Sequence, residues 1–302
     1  MGLVACRPDR RSDMRDRGWI IDVEEGNSMQ VVISTGTPDL YARLDQGVLT
    51  LTINRPAARN ALTKEMLEAL AKQLANAEAD DSVKCIVLTG AGAGFCAGGD
   101  VKRMAQSDGA PMSAGAVDRS IQRQRRVQQA TAGALFKIPK PTIAAINGPA
   151  AGAGLSLALA CDFRIMSSQA ILTTAFAKVG VAGDFGGTYF MTQLVGAAKA
   201  RQLYFLSERV DAAEAVQLGL ANWTCAHAEF EARVDALASS LAAGPVIALR
   251  YMKENLNRAM SGSVDDCLDM EATHHIHCYA TADHREAARA FVEKRVPVFT
   301  GE

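Results

Sequence analysis

The segments GFCAGGD at residues 94–100 and NGPAAGAG at residues 147–154 decide the fold of this chain. Each follows a short apolar run, CIVLT at residues 85–89 and TIAAI at residues 142–146. Short β-branched runs bounded by turn residues are typical of buried parallel strands, so we predict an α/β protein. Each loop leads into a helical pattern, where glycine permits close approach and unpaired N–H groups point outward. Two such donors on one oxygen atom would make an oxyanion hole.

The first loop also fits a dinucleotide-binding fingerprint. Gly92, Gly94 and Ala97 follow a strand with the spacing G-x-G-x-x-A, and Asp118 falls where a ribose-binding acid is expected. That fingerprint needs a helix that opens inside it, whereas here the helical pattern opens near Asp100 and a polar, arginine-rich stretch follows. The pattern therefore favours an oxyanion-binding turn.

The second loop lies in an uncharged stretch, residues 142–161, with a G-x-x-x-G motif at Gly148 and Gly152. Such a stretch is long enough to be considered a membrane helix. Asn147 and Pro149 in its middle, and its dependence on alanine rather than leucine, favour a buried strand, loop and helix.

The bulk composition is that of a globular enzyme. The chain has 302 residues, 49% hydrophobic and 22% charged, with a formal net charge of −1. This balance gives no chain-wide footprint for nucleic acid. Seven cysteines without a C-x-x-C pair, and no visible signal peptide, predict free thiols and a cytoplasmic protein.

The order of elements can be predicted along the chain. Residues 1–36 carry many charges and little core pattern, which predicts a disordered extension. A hairpin is predicted from residues 40–44 and 48–53, then a helix over residues 63–78 that crosses over to the strand at Cys85. Residues 107–117 are rich in Gly, Ala, Ser and Pro and predict a mobile loop, followed by an arginine-bearing helix with a solvated face over residues 118–136. From residue 196 the pattern is helical to the end.

Together with NRP at residues 54–56 and EKRVP at residues 293–297, the two loops resemble the motifs of the crotonase (enoyl-CoA hydratase/isomerase) superfamily in their order. The resemblance covers about residues 39–302. It implies a crotonase-like ββα-superhelix core over residues 37–195, with the acyl-CoA site, and a C-terminal helical trimerisation region over residues 196–302. The implied partners are an acyl-CoA thioester and other copies of the chain, as a trimer or a dimer of trimers, with no membrane and no cofactor besides the substrate's own CoA.

The resemblance also implies roles for particular residues. The peptide N–H groups of Gly99 and Ala153 would hold the thioester oxygen. Arg59 would lie beside the CoA diphosphate, and Tyr279 and Lys294 match CoA-contacting positions of the dihydroxynaphthoyl-CoA synthase branch; without the resemblance, Arg59 and Lys294 would be surface residues. The other expected substrate or CoA contacts are Ala97, Gly98, Asp100, Lys102, Ser156 and Phe176.

The chemistry depends on which carboxylates are present. Hydratases of the superfamily position water with two glutamates, and the matching positions here are Ser156 and Phe176, neither of which is acidic. Asp184 falls where several double-bond isomerases keep a catalytic aspartate, and the neighbouring Phe176, Val181 and Phe185 would desolvate it and raise its pKa. The alternative is that Asp184 caps the helix that follows.

The sequence therefore predicts an enoyl-CoA double-bond isomerase that uses Asp184 as its acid and base. Enoyl-CoA hydratase or another crotonase lyase or decarboxylase is the alternative within the class. A non-catalytic CoA-binding or RNA-binding homologue is the alternative from another class. A metal site at His274, His275 and His277 is disfavoured, because adjacent residues project about 100° apart on a helix.

Overall fold

The structure is a computed structural model that describes residues 30–106 and 113–302. Its main sheet contains five parallel strands, and the two loops follow two of these strands. The predicted buried strands are confirmed as β4 (Cys85–Gly90) and β5 (Thr142–Ile146), which pair in parallel. They belong to a seven-stranded sheet that also contains β1 (Val31–Ile33), β2 (Leu40–Asp45), β3 (Val48–Ile53), β7 (Phe163–Ser167) and β10 (Trp223–Cys225), in the order β1-β2-β3-β4-β5-β7-β10. The loops after β4 and β5 therefore lie side by side at the carboxyl edge of the sheet.

The amino-terminal edge of the sheet is antiparallel. The predicted hairpin of β2 and β3 is confirmed, with Leu40 opposite Ile53. The prediction that residues up to 36 are disordered is wrong for the described part, because β1 pairs with β2 and buries Val31 and Ile33. Three residues are too few for a clear alternating pattern, so pairing with β2 forms this strand. Residues 1–29 lie outside the described residues.

Helix α1 (Lys64–Ala79) makes the predicted crossover between the parallel strands β3 and β4. The side chain of Thr63 caps it by accepting a hydrogen bond from Met66 N at 3.1 Å. Met66, Leu70 and Leu74 recur on one face and are buried, so their spacing fixes how the helix packs on the sheet.

The segment before β5 differs from the prediction. After the short helix α2 (Val101–Ala105), two helices, α3 (Ala114–Ala130) and α4 (Ala132–Lys137), replace the single helix expected over residues 118–136. A mobile loop is the wrong prediction for residues 114–117, which are helical behind the N-cap Ser113, and residues 107–112 lie outside the described residues. The break comes at Thr131, a fully buried residue whose hydroxyl donates to Val127 O at 2.7 Å.

The boundary predicted at residue 196 does not separate two structural layers. Helix α6 (Gly187–Leu206) runs across it with a kink at Gly196, and β10 joins the main sheet beside β7. A second sheet contains β6 (Ala150–Ala151), β8 (Ile171–Thr173) and β9 (Val210–Asp211). The prediction of helix alone after residue 196 is therefore wrong, because strands of two or three residues form by pairing with distant partners and leave no periodic signal.

The sheet is covered on both faces. Helices α1, α4 and α5 (Ala153–Leu159) contribute to the larger core, and α8 (Phe230–Ala242) packs on the opposite face. Phe230, Val234 and Ala238 of α8 meet the residues of β4, β5 and β7 that face away from the larger core. The remaining helices are α7 (Ala212–Gln217), α9 (Val246–Ala259), α10 (Val264–Tyr279) and α11 (Ala282–Glu293).

Two further properties concern the described chain as a whole. None of its single helices is long and apolar enough to cross a membrane; only the bent pair of residues 227–242 and 246–259 passes a test of length and composition. The described cysteines are free thiols, as predicted: Cys85, Cys96, Cys161, Cys225, Cys267 and Cys278.

Candidate active site

Two asparagine amides hold the loop that follows β4. Asn60 Nδ2 donates to the carbonyls of Ala91 and Gly94 at 2.9 and 2.7 Å. Asn147 Nδ2 donates to the carbonyls of Gly90 and Gly92 at 2.9 and 2.7 Å. Carbonyls that would otherwise be unpaired are thus satisfied from two separate segments, which fixes the loop as a rigid platform.

The two predicted loops are joined directly by backbone hydrogen bonds. Phe95 N and Cys96 N donate to Pro149 O at 3.1 and 3.2 Å, and Ala151 N donates to Cys96 O at 2.8 Å. Gly98 has φ +81°, and a Cβ atom there would lie 2.7 Å from Ala151 O and 3.0 Å from Ala153 N. Only glycine permits this approach, which brings the segment containing Gly99 beside the first peptide of α5.

Ala153 is the first residue of α5. The residue before it, Gly152, has φ +52° and offers no side-chain cap. N–H groups of a first helical turn have no partner within the helix. The peptide linking Gly152 to Ala153 is therefore suited to hydrogen-bond an oxygen atom placed between the loops.

Ser156 and Phe176 lie in the protein interior beside this peptide. Ser156 is 1% exposed, and its hydroxyl donates to Gly152 O at 3.3 Å. Phe176 is 6% exposed, and a Cβ atom on Gly152 would lie 3.7 Å from its ring. A hydroxyl and an aromatic ring thus occupy the two positions that the resemblance assigns to hydratase glutamates.

Asp184 lies in the turn before α6 and is half-buried. Burial raises the pKa of its carboxyl to about 6, and its Oδ1 is buried without a hydrogen-bond partner among the described residues. The N-cap of α6 is Gly186, with φ +73° and no side-chain cap, so the carboxylate does not cap the helix. Phe176 and Phe185 are buried, whereas Val181 is 52% exposed.

Several predicted CoA-contacting residues gather at the outer edge of the first loop. Arg59 is exposed, and its carbonyl accepts a hydrogen bond from Ala97 N at 3.0 Å. Asp100 pairs with Arg55 at 3.4 Å, and Lys102 is exposed on the following helix α2. The NRP motif therefore contributes Arg55, which ties the start of the chain's core to the end of the loop.

Tyr279 and Lys294 are not part of this cluster. The ring of Tyr279 packs against His275 and His284, with centroids 4.9 and 4.3 Å apart. Lys294 is exposed, has φ +54° and ends α11. Both residues lie at the ends of C-terminal helices, Tyr279 at the end of α10 and Lys294 at the end of α11.

The histidine-rich segment is held by other contacts. His274 Nδ1 lies 2.6 Å from Asn255 Oδ1, and its ring stacks on Tyr251 with centroids 4.2 Å apart. Within the two described ranges, no group of three or more His, Cys, Asp or Glu side chains could hold a metal ion.

The sequence did not identify three residues of the candidate site. They are Asn60 and Asn147, whose amides hold the loop after β4, and Tyr204. The ring of Tyr204 stacks on Phe176, with centroids 5.8 Å apart and planes inclined by 14°. Asn147 directly follows β5, and the sequence identifies it as a turn residue, but nothing in the sequence indicates which carbonyls its amide binds. Tyr204 reaches the site only because α6 folds back over it.

The fold and the paired loops place the chain in the crotonase superfamily. The enoyl-CoA hydratase/isomerase family profile matches residues 43–302, and the chain is an enzyme of that family. Among its relatives, 1,2-epoxyphenylacetyl-CoA isomerase of Escherichia coli (strain K12) is 37% identical, over 87% of this chain and 98% of the relative. The short-chain-enoyl-CoA hydratase of Clostridium acetobutylicum is 33% identical, over 82% of this chain and 92% of the relative. The crystal structure of enoyl-CoA hydratase from Bacillus anthracis superposes with a TM-score of 0.79 at 30% identity, covering 87% of this chain and 100% of that one.

Proposed function

We propose that this enzyme is an enoyl-CoA double-bond isomerase in which Asp184 moves the proton. The observation that carries the proposal is the Asp184 carboxylate, whose pKa is raised to about 6 by burial and whose Oδ1 has no hydrogen-bond partner in the described part of the chain. A general base is most useful when its pKa lies near the working pH, which this environment favours.

In the proposed reaction, the N–H groups of Gly99 and Ala153 bind the thioester oxygen of an acyl-CoA. Asp184 takes a proton from the acyl chain, and the electron pair moves onto the thioester oxygen as an enolate. The protonated Asp184 then returns the proton at a different carbon, which shifts the double bond. The donors stabilise the charge where it develops, which is the largest contribution expected from the protein.

The surroundings of the carboxylate support isomerisation over hydration. Water addition in this family uses two carboxylates, and Ser156 and Phe176 supply neither. The similarity to an isomerase is consistent with this choice, but hydratases are among the similar proteins as well. One acid suffices when the group that removes a proton also returns one at another carbon.

Assembly with further copies of the chain belongs to the same proposal. Helices α9, α10 and α11 expose large apolar side chains, among them Leu256 (68%), Ile276 (67%) and Phe291 (86%). An exposed apolar face of this kind favours association. We expect a trimer or a dimer of trimers, in which Tyr279 and Lys294 reach a neighbour's CoA; sedimentation analysis measures the assembly directly.

Incubation with a panel of unsaturated acyl-CoA thioesters in heavy water tests the reaction. Isomerisation incorporates deuterium without net addition of water, and hydration adds the mass of water, so mass spectrometry separates the two. Products that carry added water would establish a hydratase. No turnover with any thioester, together with an RNA mobility shift, would instead indicate the non-catalytic RNA-binding alternative.

A further inference from the structure

Tyr204 lies between the loop that carries Asp184 and the buried Phe176. Its ring is parallel to that of Phe176, and a Cβ atom on Gly183 would lie 3.1 Å from its Cε1. Gly183 has φ +110°, a conformation that suits glycine, and directly precedes Asp184. The tyrosine ring therefore stacks on an aromatic ring and lies beside the backbone of the Asp184 turn.

The hydroxyl of Tyr204 meets the hydroxyl of Ser156. A Cβ atom on Gly187 would lie 2.5 Å from the Tyr204 hydroxyl and would overlap the Ser156 hydroxyl, so both oxygens occupy the space beside one glycine. The two hydroxyl oxygens therefore lie within reach of each other. The pair explains why α6 must begin with a residue that has no side chain.

Ser156 connects this pair to the second loop. Its hydroxyl donates to Gly152 O at 3.3 Å. That carbonyl and the N–H of Ala153 are the two ends of one peptide unit. A donor on the carbonyl side polarises the peptide and strengthens its N–H as a donor, because hydrogen bonds in a chain reinforce one another.

We propose that Tyr204 is a positioning residue that acts through Ser156 on the Gly152–Ala153 peptide and makes the Ala153 N–H a stronger donor to the thioester oxygen. The inference rests on the proposed function, since it needs an oxygen bound between the two loops. In the proposed series of hydrogen bonds, the Tyr204 O–H donates to Ser156 Oγ, and the Ser156 O–H donates to Gly152 O. No proton is transferred along this series, and neither residue forms a bond to the substrate.

The electrostatic setting keeps the tyrosine in its donor form. Burial raises the pKa of Tyr204, and the nearby Asp184 carboxylate raises it further, since a second negative charge beside the first is unfavourable; the interaction with Ser156 lowers the pKa but does not reverse the shift. The phenol is therefore neutral throughout the working pH range and retains the proton that it donates to Ser156.

The size of the effect follows from the value of one oxyanion donor. Losing such a donor costs about 10² to 10³ in kcat, and cooperative strengthening amounts to about 10–30% of a bond. Removing the Ser156 hydroxyl should therefore lower kcat about two- to eightfold, and removing the Tyr204 hydroxyl, one hydrogen bond further from the Ala153 N–H, should lower it by up to about twofold, with little change in the affinity for acyl-CoA.

The test compares Tyr204→Phe, Ser156→Ala and the double variant, with Tyr189→Phe as the matched control. Tyr189 lies on the same helix, is 40% exposed and packs on Phe136 and Phe190. Steady-state kinetics give kcat and KM for each variant. A conjugated dienoyl-CoA, bound in an Asp184→Asn background that prevents turnover, reports carbonyl polarisation as a red shift of its absorbance.

We expect Ser156→Ala to lower kcat more than Tyr204→Phe does, and each variant to reduce the red shift in proportion to its loss of kcat. The double variant should be no worse than Ser156→Ala, because both changes break one chain. Tyr189→Phe should match the parent, and the thermal midpoints should show that all variants are folded. A loss of kcat without a smaller red shift would overturn the inference, because it would mean that Tyr204 acts elsewhere.

The experiment also separates the inference from the proposed function. Absence of a red shift already in the Asp184→Asn protein would overturn the oxyanion site, and the inference with it. A red shift that survives both Tyr204→Phe and Ser156→Ala unchanged would overturn the inference alone and leave the proposed function standing.

Discussion

Replacing Asp184 by asparagine should abolish turnover and, at neutral pH, stabilise the folded chain. An aspartate whose pKa is raised on folding binds its proton more tightly in the folded state than in the unfolded chain. Its ionisation therefore lowers the free energy of unfolding as the pH rises from about 4 to about 6. The asparagine variant carries no such charge and escapes this loss.

The magnitude follows from the shift in pKa, from 3.8 to about 6. About two pKa units correspond to about 3 kcal/mol as an upper limit. The carboxylate is only half-buried and still meets solvent, which reduces its cost, so we expect about 1–2 kcal/mol. The buried amide of the variant lacks a partner and offsets part of this gain, but that cost does not change with pH.

Urea denaturation of the parent and the variant at pH 4.5 and pH 7.5 measures the effect. The stability difference in favour of Asp184→Asn should grow between the two pH values. Asp211→Ala is the control, since Asp211 caps α7 by accepting a hydrogen bond from Glu214 N at 2.9 Å. Its loss should destabilise the chain by about 1 kcal/mol at pH 7.5. A difference between parent and Asp184→Asn that stays constant with pH would refute a desolvated carboxylate at this position.

Three further predictions concern catalysis and binding. The value of kcat/KM should fall with decreasing pH through about 6, to about one tenth of its plateau at pH 5, because Asp184 must be ionised to act as a base; a profile that stays flat to pH 5 would contradict this. Ala153→Pro deletes the N–H and keeps a helix-compatible φ, so it should lower kcat by about 10² to 10³ at unchanged circular dichroism, whereas Ala153→Gly should be mild. A proline variant that folds and keeps the parent rate would remove Ala153 from the oxyanion site. Lys294→Ala should raise the KM for acyl-CoA about tenfold at low salt and less at high salt, because the lost contact is to phosphate. Lys72→Ala, at another exposed lysine, serves as the control. An unchanged KM of Lys294→Ala at low salt would show that Lys294 is only a surface residue.

The sequence by itself determined the parts of the fold that repeat or pack locally. The apolar runs before the two loops predicted buried strands, and β4 and β5 are buried along most of their length. The spacing of Met66, Leu70 and Leu74 fixed one face of α1. The glycines of the loops and Asp184 in the turn before α6 define the candidate site from the sequence, because each has a local physical requirement.

Tertiary structure alone decided the elements and contacts that depend on distant partners. The strands β1, β9 and β10 are two or three residues long and exist because another strand satisfies their backbone groups. Whether Asp184 caps a helix or stands unpaired depended on Gly186 taking the cap position. Tyr204 joins Ser156 because α6 folds across the second loop, a contact between residues that are far apart in sequence and carry no shared pattern.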